Sequence, residues 1–315
     1  VTIATEPETL RSGGAPGSPV ARRGSRRDDR WRRRAPLLPA LVFAVVVTQL
    51  PFLLTIWYSL QSWNLLRDDG PTFVGLQNFA LVWTSAPFRD AILITVLFTV
   101  SAVVLSVIVG MLLALLVHRK FFGRGVVRTL LITPFLVMPA AAALIWKTSF
   151  FNPTFGLINW FLGLFGVQGP DWLSTFPGAS IVLVMVWQWS PFMMLILLAG
   201  LQSQPEEPLE AARVDGANGF QIFRLLTLPH LRRYIELGTV LGAIFIVQTY
   251  DTVYMMTNGG PGRSTTNLPF FLYQTAFRDF EIGHAAALGI VVVVCTIILS
   301  TFALRMFAKV FKEAR

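Results

Sequence analysis

The chain has 315 residues, 54% of them hydrophobic and only 14% charged, with a mean hydropathy of +0.61 and a formal net charge of +9. So little charge on so long a chain excludes an ordinary soluble globular protein and points to an integral membrane protein. A single cysteine, Cys295, excludes a disulfide framework within the chain, and His118, His230 and His284 lie too far apart, with no Cys partners, to suggest a metal site.

The first 35 residues are rich in Gly, Pro, Ser and Arg and poor in large apolar side chains. Such a segment cannot bury enough surface to fold alone and is expected to be a disordered basic tail. Its run RRGSRRDDRWRRR suits the anionic inner leaflet of a membrane better than nucleic acid, because a long apolar run follows it directly. A cleaved signal peptide is not expected: the basic region and the apolar run are both too long.

A helix needs about 20 apolar residues to cross the hydrocarbon core. Six runs meet that length, at about 36–60, 90–117, 126–147, 179–201, 235–257 and 284–307. The reading is an all-α integral membrane protein with six transmembrane helices in a domain covering 36–315. The third run is interrupted by Pro134 and Pro139, which a membrane helix tolerates when neighbours satisfy the freed carbonyls.

Basic residues set the orientation. Nine Lys and Arg fall in the tail and four each in 118–128, 202–234 and 305–315, leaving only Arg67, Arg89, Lys147, Arg263 and Arg278 for the other side. The asymmetry predicts that the N-terminus and the C-terminus are both cytoplasmic. The external segments, Gln61–Arg89, Thr148–Gly178 and Asn258–Gly283, carry turn formers and aromatics and read as short structured loops or interfacial helices. None is long enough for a catalytic domain.

Residues 202–234 then form a cytoplasmic loop. Pro205 and Pro208 suit the first turn of a helix, and Glu206, Glu207 and Glu210 set negative charge against its positive end. Gly216 supplies a stop where left-handed backbone is easiest. A second short helix is expected over about Gly219–Thr227, followed by Pro229. By physics alone the hairpin suits either the membrane surface or a groove in a cytoplasmic partner.

The segment EAARVDGANGFQIFRLLTLP, residues 210–229, resembles the EAA loop of permease subunits of bacterial ABC importers. Glu210, Ala211, Ala212, Asp215, Gly216, Leu228 and Pro229 fall in register, and Leu226 stands where isoleucine is usual. FVGLQNFALVW (73–83) resembles the lead-in segment of maltose-type sugar importers. FFGRGVVRTLLITPFLVMPAAAALIWK and TNGGPGRSTTNLPFFLYQTAF look similar to permeases of the sorbitol/mannitol (polyol) branch. The resemblance implies a type I ABC importer permease fold in the bacterial cytoplasmic (inner) membrane. It implies a second permease subunit, a paralogue by family habit, two copies of an ABC ATPase, and an extracytoplasmic solute-binding protein that delivers a sugar or polyol. It also implies that Glu210 makes the polar contact of a coupling helix at the ATPase cleft, that Ala211 and Ala212 allow close approach, and that Gly216 makes the turn. The chain has no G-x-x-x-x-G-K-[ST] loop, so ATP and Mg would be used by the separate ATPase and no cofactor is expected on this chain.

Polar groups inside membrane spans are costly, about 2.5–3.5 kcal/mol for a central Asp, and so raise a functional question. The fourth run has WQWSPF (187–192), in which Trp187, Gln188 and Trp189 combine flat faces with hydrogen-bonding capacity. The fifth has QTYDTVY (248–254), placing Gln248 and Asp251 at i, i+3 on one helix face and Tyr250 and Tyr254 at i, i+4 on another. A sugar or polyol needs both kinds of contact. The alternative is that these groups bond to each other or to a partner subunit, or anchor at the interface. Two other function classes fit less well, because only Asp251 looks clearly intramembrane, no internal repeat is evident, the histidines lie at the ends of runs and no acidic pair is buried. An ion-gradient-driven secondary transporter would need broken helices in repeated halves and buried carboxylates, and an intramembrane enzyme would need a Ser–His or paired-Asp constellation.

Overall fold

The computed structural model describes residues 38–310, and the basic tail at 1–35, with its expected disorder and membrane-surface role, lies outside the described residues. The chain divides into two units at Leu53/Leu54. In the first, the described residues are the uncharged apolar start of helix α1 (Leu38–Ser59), which continues through Pro51. Lipid offers the backbone no partners, so a run of this composition closes its hydrogen bonds within a helix.

The second unit, from Leu54, is mostly helical. A two-residue antiparallel ladder departs from the all-α expectation: β1 (Gln61–Ser62) pairs with β2 (Thr72–Phe73), Gln61 opposite Phe73. Gly70, at φ 66°, lies in the connection, and Asn78 fixes the start of the ladder from α2 (Gln77–Thr84). The Asn78 Nδ2 donates to the carbonyls of Ser59 and Gln61, each at 2.8 Å, and the side chain is buried. Asn78→Leu would leave both acceptors without their donor. It is expected to cost about 2 kcal/mol, read as a lower melting temperature of the purified protein, and unchanged melting would mean water replaces the amide.

Two long helices form the frame. Helix α3 (Ala86–His118) and, later in the chain, α8 (Pro177–Gln202) pack along their length, and each opens with a proline in its first turn. Their backbones meet at Gly110, where an added Cβ would lie 2.6 Å from Met193 Cβ and 2.9 Å from the Met194 amide nitrogen. Small residues at such crossings are what permits close helix packing in lipid. One buried cluster at this pair joins Met111, Ala114 and Val117 to Met194, Leu197, Leu198 and Leu201. A second cluster joins Phe98, Ala102 and Val103 to Ile181, Val184 and Met185.

The third apolar run is two helices rather than one. Helix α4 (Arg124–Leu136) and α5 (Pro139–Ile145, continued by a π turn to Phe150) meet at 100°. Val137 and Met138 are extended between them, because Pro139 disfavours helical backbone at the residue before it. Short helices α6 (Leu157–Gly163) and α7 (Trp172–Thr175) fill the segment that was expected to hold loops or interfacial helices.

The fifth run is also broken. After α9 (Glu207–Val214) and α10 (Gly219–Ile222), helix α11 (Leu228–Ile246) ends eleven residues before the expected boundary at about 257. A turn at 247–250 follows, then α12 (Asp251–Met256). Helices α13 (Leu268–Phe277) and α14 (Ile282–Val310) complete the unit. Among the described residues three helices, α1, α3 and α8, are by themselves long and apolar enough to cross a membrane, and the bent α4–α5 pair makes a fourth. Helix α11 carries Arg232, Arg233 and Glu236 near its start, which dilutes its apolar stretch.

Candidate functional site

Two places collect the residues singled out from the sequence. The first is the loop between α8 and α11. Helix α9 has Pro208 in its first turn, Glu207 and Glu210 at its positive end and Arg213 in its last turn. It ends in a Schellman motif: the Ala217 amide donates to the Ala212 carbonyl at 2.9 Å and the Gly216 amide to the Arg213 carbonyl at 3.1 Å. Gly216 has φ 84°, the left-handed conformation this motif requires. Asn218 then starts α10 with a capping box, its side chain accepting from the Gln221 amide while the Gln221 side chain accepts from the Asn218 amide.

The second short helix does not stop before Pro229, as the sequence reading had it. The chain stays helical from Gly219 through a π turn (Phe223–Thr227) into α11. The Leu228 amide reaches back to the Phe223 carbonyl, and this widened turn gives the proline ring room that a regular α-turn would deny it.

The base of the loop is anchored. Ser203 Oγ lies 2.7 Å from the Tyr234 hydroxyl and 3.2 Å from His230 Nε2, so the end of α8 is tied to α11. The tip is not covered. Glu210, Ala211, Asp215, Gly216 and Pro229 are exposed, while Ala212 and Leu228 are half-buried. Three apolar side chains project beside them: Val214 at 87% exposure, Phe220 at 70% and Leu225 at 68%. The Glu210 side chain makes no hydrogen bond or ion pair with any described residue, and with Glu206 and Arg213 it borders a cleft of about 240 Å³.

The second place is a cavity of about 170 Å³ between α8, the broken fifth run and the α4–α5 break. Five of the seven residues proposed from the sequence line it: Gln188, Trp189, Gln248, Tyr250 and Asp251. Trp187 does not; its ring meets Trp146 edge-on at 5.7 Å. Tyr254 stands behind Tyr250, stacked on it at 5.4 Å and 17° within a group that includes Phe270 and Tyr273. Trp189 stacks on Phe245 at 5.6 Å and 19°.

Of the two helix faces expected at 248–254, the Tyr250–Tyr254 pair at i, i+4 holds, the Tyr254 amide donating to the Tyr250 carbonyl at 3.0 Å, and the Gln248–Asp251 face does not. Gln248 lies in the turn and Asp251 opens α12, so they reach one cavity through a break rather than through i, i+3 spacing. Asp251 is half-buried and makes no ion pair with a described residue. Gln188 is buried, and its Nε2 donates to the Val137 carbonyl at 2.9 Å, satisfying the α4–α5 break. Pro139, Thr249 and Thr252 also line the cavity and were not singled out from sequence. Pro139 carried a legible signal, since two prolines five residues apart mark an interruption. Thr249 and Thr252 carried none.

Irregular backbone at membrane depth persists where protein or a cavity covers it. Both breaks border the same cavity, whose lining brings together side-chain amides, a carboxylate and aromatic rings. Among the described residues no group of His, Cys, Asp or Glu is arranged to hold a metal ion.

Residues 106–312 match the model of the family described as binding-protein-dependent transport system inner membrane component. The chain is 38% identical over 265 residues to a probable ABC transporter permease of Sinorhizobium fredii, an alignment covering 84% of this chain and 85% of that one. It is 35% identical over 255 residues to the trehalose/maltose transport system permease of Thermococcus litoralis, covering 80% and 86%. In fold it is similar to a chain of a bacterial ABC transporter involved in the import of the acidic polysaccharide alginate, with a TM-score of 0.75 at 20% identity, covering 90% of this chain and 99% of that one.

Proposed function

This chain belongs to the family of binding-protein-dependent transport system inner membrane components, and from that premise we propose that it forms half of the pore of an importer for a sugar or sugar alcohol. It is a multi-pass inner-membrane permease subunit of an ABC importer and is not itself an enzyme; ATP hydrolysis belongs to a separate subunit. In the proposal six spans cross the membrane with both ends cytoplasmic, as the distribution of basic residues favours. A second, paralogous permease completes the pore, two ATPase copies lie beneath it, and a binding protein delivers solute from the other side.

The observation that carries the proposal is the exposed tip of the 202–234 loop. A rigid turn at Gly216 presents Glu210 together with Val214, Phe220 and Leu225, an uncovered apolar patch with a charged rim. That pattern fits a groove in a partner protein. ATP-driven closure of the ATPases would then move the loop and, through α8 and α11, the walls of the cavity. Broken helices around a cavity also suit an ion-coupled carrier, but the family membership supports the ATP-driven reading.

For the solute, the support is chemical. Trp189, stacked on Phe245, and Tyr250, stacked on Tyr254, offer flat faces for C–H groups, and Gln248 and Asp251 offer hydrogen bonds. Several relatives are trehalose or maltose permeases; for the polyol the support is the sequence resemblance alone. The test is uptake by the full complex in proteoliposomes with ATP inside, using radiolabelled trehalose, maltose, sorbitol and mannitol. Uptake of at least one that needs both ATP and the binding protein supports the reading, and uptake of none contradicts it. Trp189→Ala is then expected to raise the apparent KM about tenfold, the loss of one stacking contact of about 1.5 kcal/mol, and an unchanged KM would place the solute elsewhere.

A further inference from the structure

We propose that Asn267 is a positioning residue for the solute path, acting through the backbone of Thr249. The inference rests on reading the cavity at the two helix breaks as that path.

A break in a helix leaves carbonyls without their intrahelical donors. At the fifth-run break the carbonyl of Thr249, a cavity-lining residue, accepts from Asn267 Nδ2. Asn267 is 2% exposed and precedes α13. Its Oδ1 accepts from the Phe270 amide, so one side chain both caps α13 and holds the break.

The holding segment is itself fixed. The next residue, Leu268, donates its amide to Thr95 Oγ1 of α3 at 2.8 Å. The two preceding residues are pinned by their hydroxyls, Thr266 to the Gly259 carbonyl at 3.1 Å and Thr265 to the Gly260 carbonyl at 2.9 Å. Thr265, Thr266 and Asn267 are all buried. A continuous path therefore runs from the long helix α3 through Leu268 and Asn267 to Thr249, next to Tyr250. Gln188 does the same at the other break, by its bond to the Val137 carbonyl. Each wall of irregular backbone is thus held by one amide side chain from a neighbouring element.

The two functions of Asn267 can be separated. Asn267→Ser keeps a capping oxygen for α13 but is too short to reach Thr249. Asn267→Asp keeps the cap and turns the donor into an acceptor. Both variants are made in the full complex with its partner subunits. Hydrogen exchange of the amides at 248–252 is expected to rise about 3- to 10-fold in each, the loss of one hydrogen bond, with α13 unchanged. This arm needs no solute, and unchanged exchange at 248–252 overturns the proposal.

In the transport arm, with radiolabelled trehalose and maltose as probes, Asn267→Ser is expected to raise KM by a similar factor and leave Vmax within about twofold. In a Tyr250→Ala background the same change is expected to add less than about twofold, because both act on one segment. Full additivity would mean Asn267 serves general stability, and would overturn the proposal. If Tyr250→Ala and Trp189→Ala raise KM while Asn267→Ser does not, the cavity reading stands and the role of Asn267 falls. If none of the three moves KM, the cavity reading falls and takes the inference with it.

Discussion

Glu210→Lys is expected to reduce ATP-driven uptake more than tenfold while leaving the amount of membrane-inserted protein unchanged. Glu210 is exposed on α9 and its side chain has no partner among the described residues, so the fold loses little by its replacement. At a covered interface the change is severe: removing one member of a buried charge pair costs about 2–5 kcal/mol. Reversal also sets a cation at the positive end of α9. Gly216 gives a companion test with a different mechanism. An added Cβ there would meet nothing within 4 Å, so space is not the constraint. The constraint is φ 84°, which costs a β-branched residue about 1–2 kcal/mol and which asparagine accepts. Gly216→Val should therefore impair uptake and Gly216→Asn should largely preserve it. Immunoblots of the membrane fraction beside uptake rates make the comparison, and wild-type uptake by Glu210→Lys would remove the coupling role.

The second large effect lies at the helix crossing. Gly110→Leu should destabilise the fold by about 3 kcal/mol or more, because the first added atom already meets Met193 Cβ and the Met194 backbone. Gly110→Ala should show a smaller loss of the same kind, since it adds one atom; that atom meets Met193 Cβ, the Met194 amide nitrogen and the Ser190 carbonyl, all fixed by backbone, so the helices must shift apart to admit it. Melting of the detergent-solubilised protein, followed by loss of monodispersity, reads the order wild type, Ala, Leu. Equal melting of all three would mean the two helices separate freely at this point.

The architecture was legible where composition alone decides it. Runs of 20 or more apolar residues with no charge allow only a helix in lipid, and α3 and α8 lie where the second and fourth runs placed them. The 202–234 loop was legible because capping chemistry is local: Pro208 and Gly216 each act within a few residues. The breaks divide on the same ground. Pro139 announced one of them. The other, at 247–250, has neither glycine nor proline and depends on Asn267, eighteen positions beyond Thr249, to donate to its freed carbonyl. No local pattern encodes such a tie. The same holds for Trp187, whose apolar face served equally well for a solute or for Trp146, and only packing chose between them.

The most direct test of the proposed permease role is to tag this chain, extract it gently from its native membrane, and identify by mass spectrometry what remains bound. An ABC ATPase and a second permease are expected in stoichiometric amount, with a solute-binding protein recovered when its ligand is present, and Glu210→Lys is expected to weaken retention of the ATPase. A chain recovered alone, and still moving solute without ATP, would contradict that role.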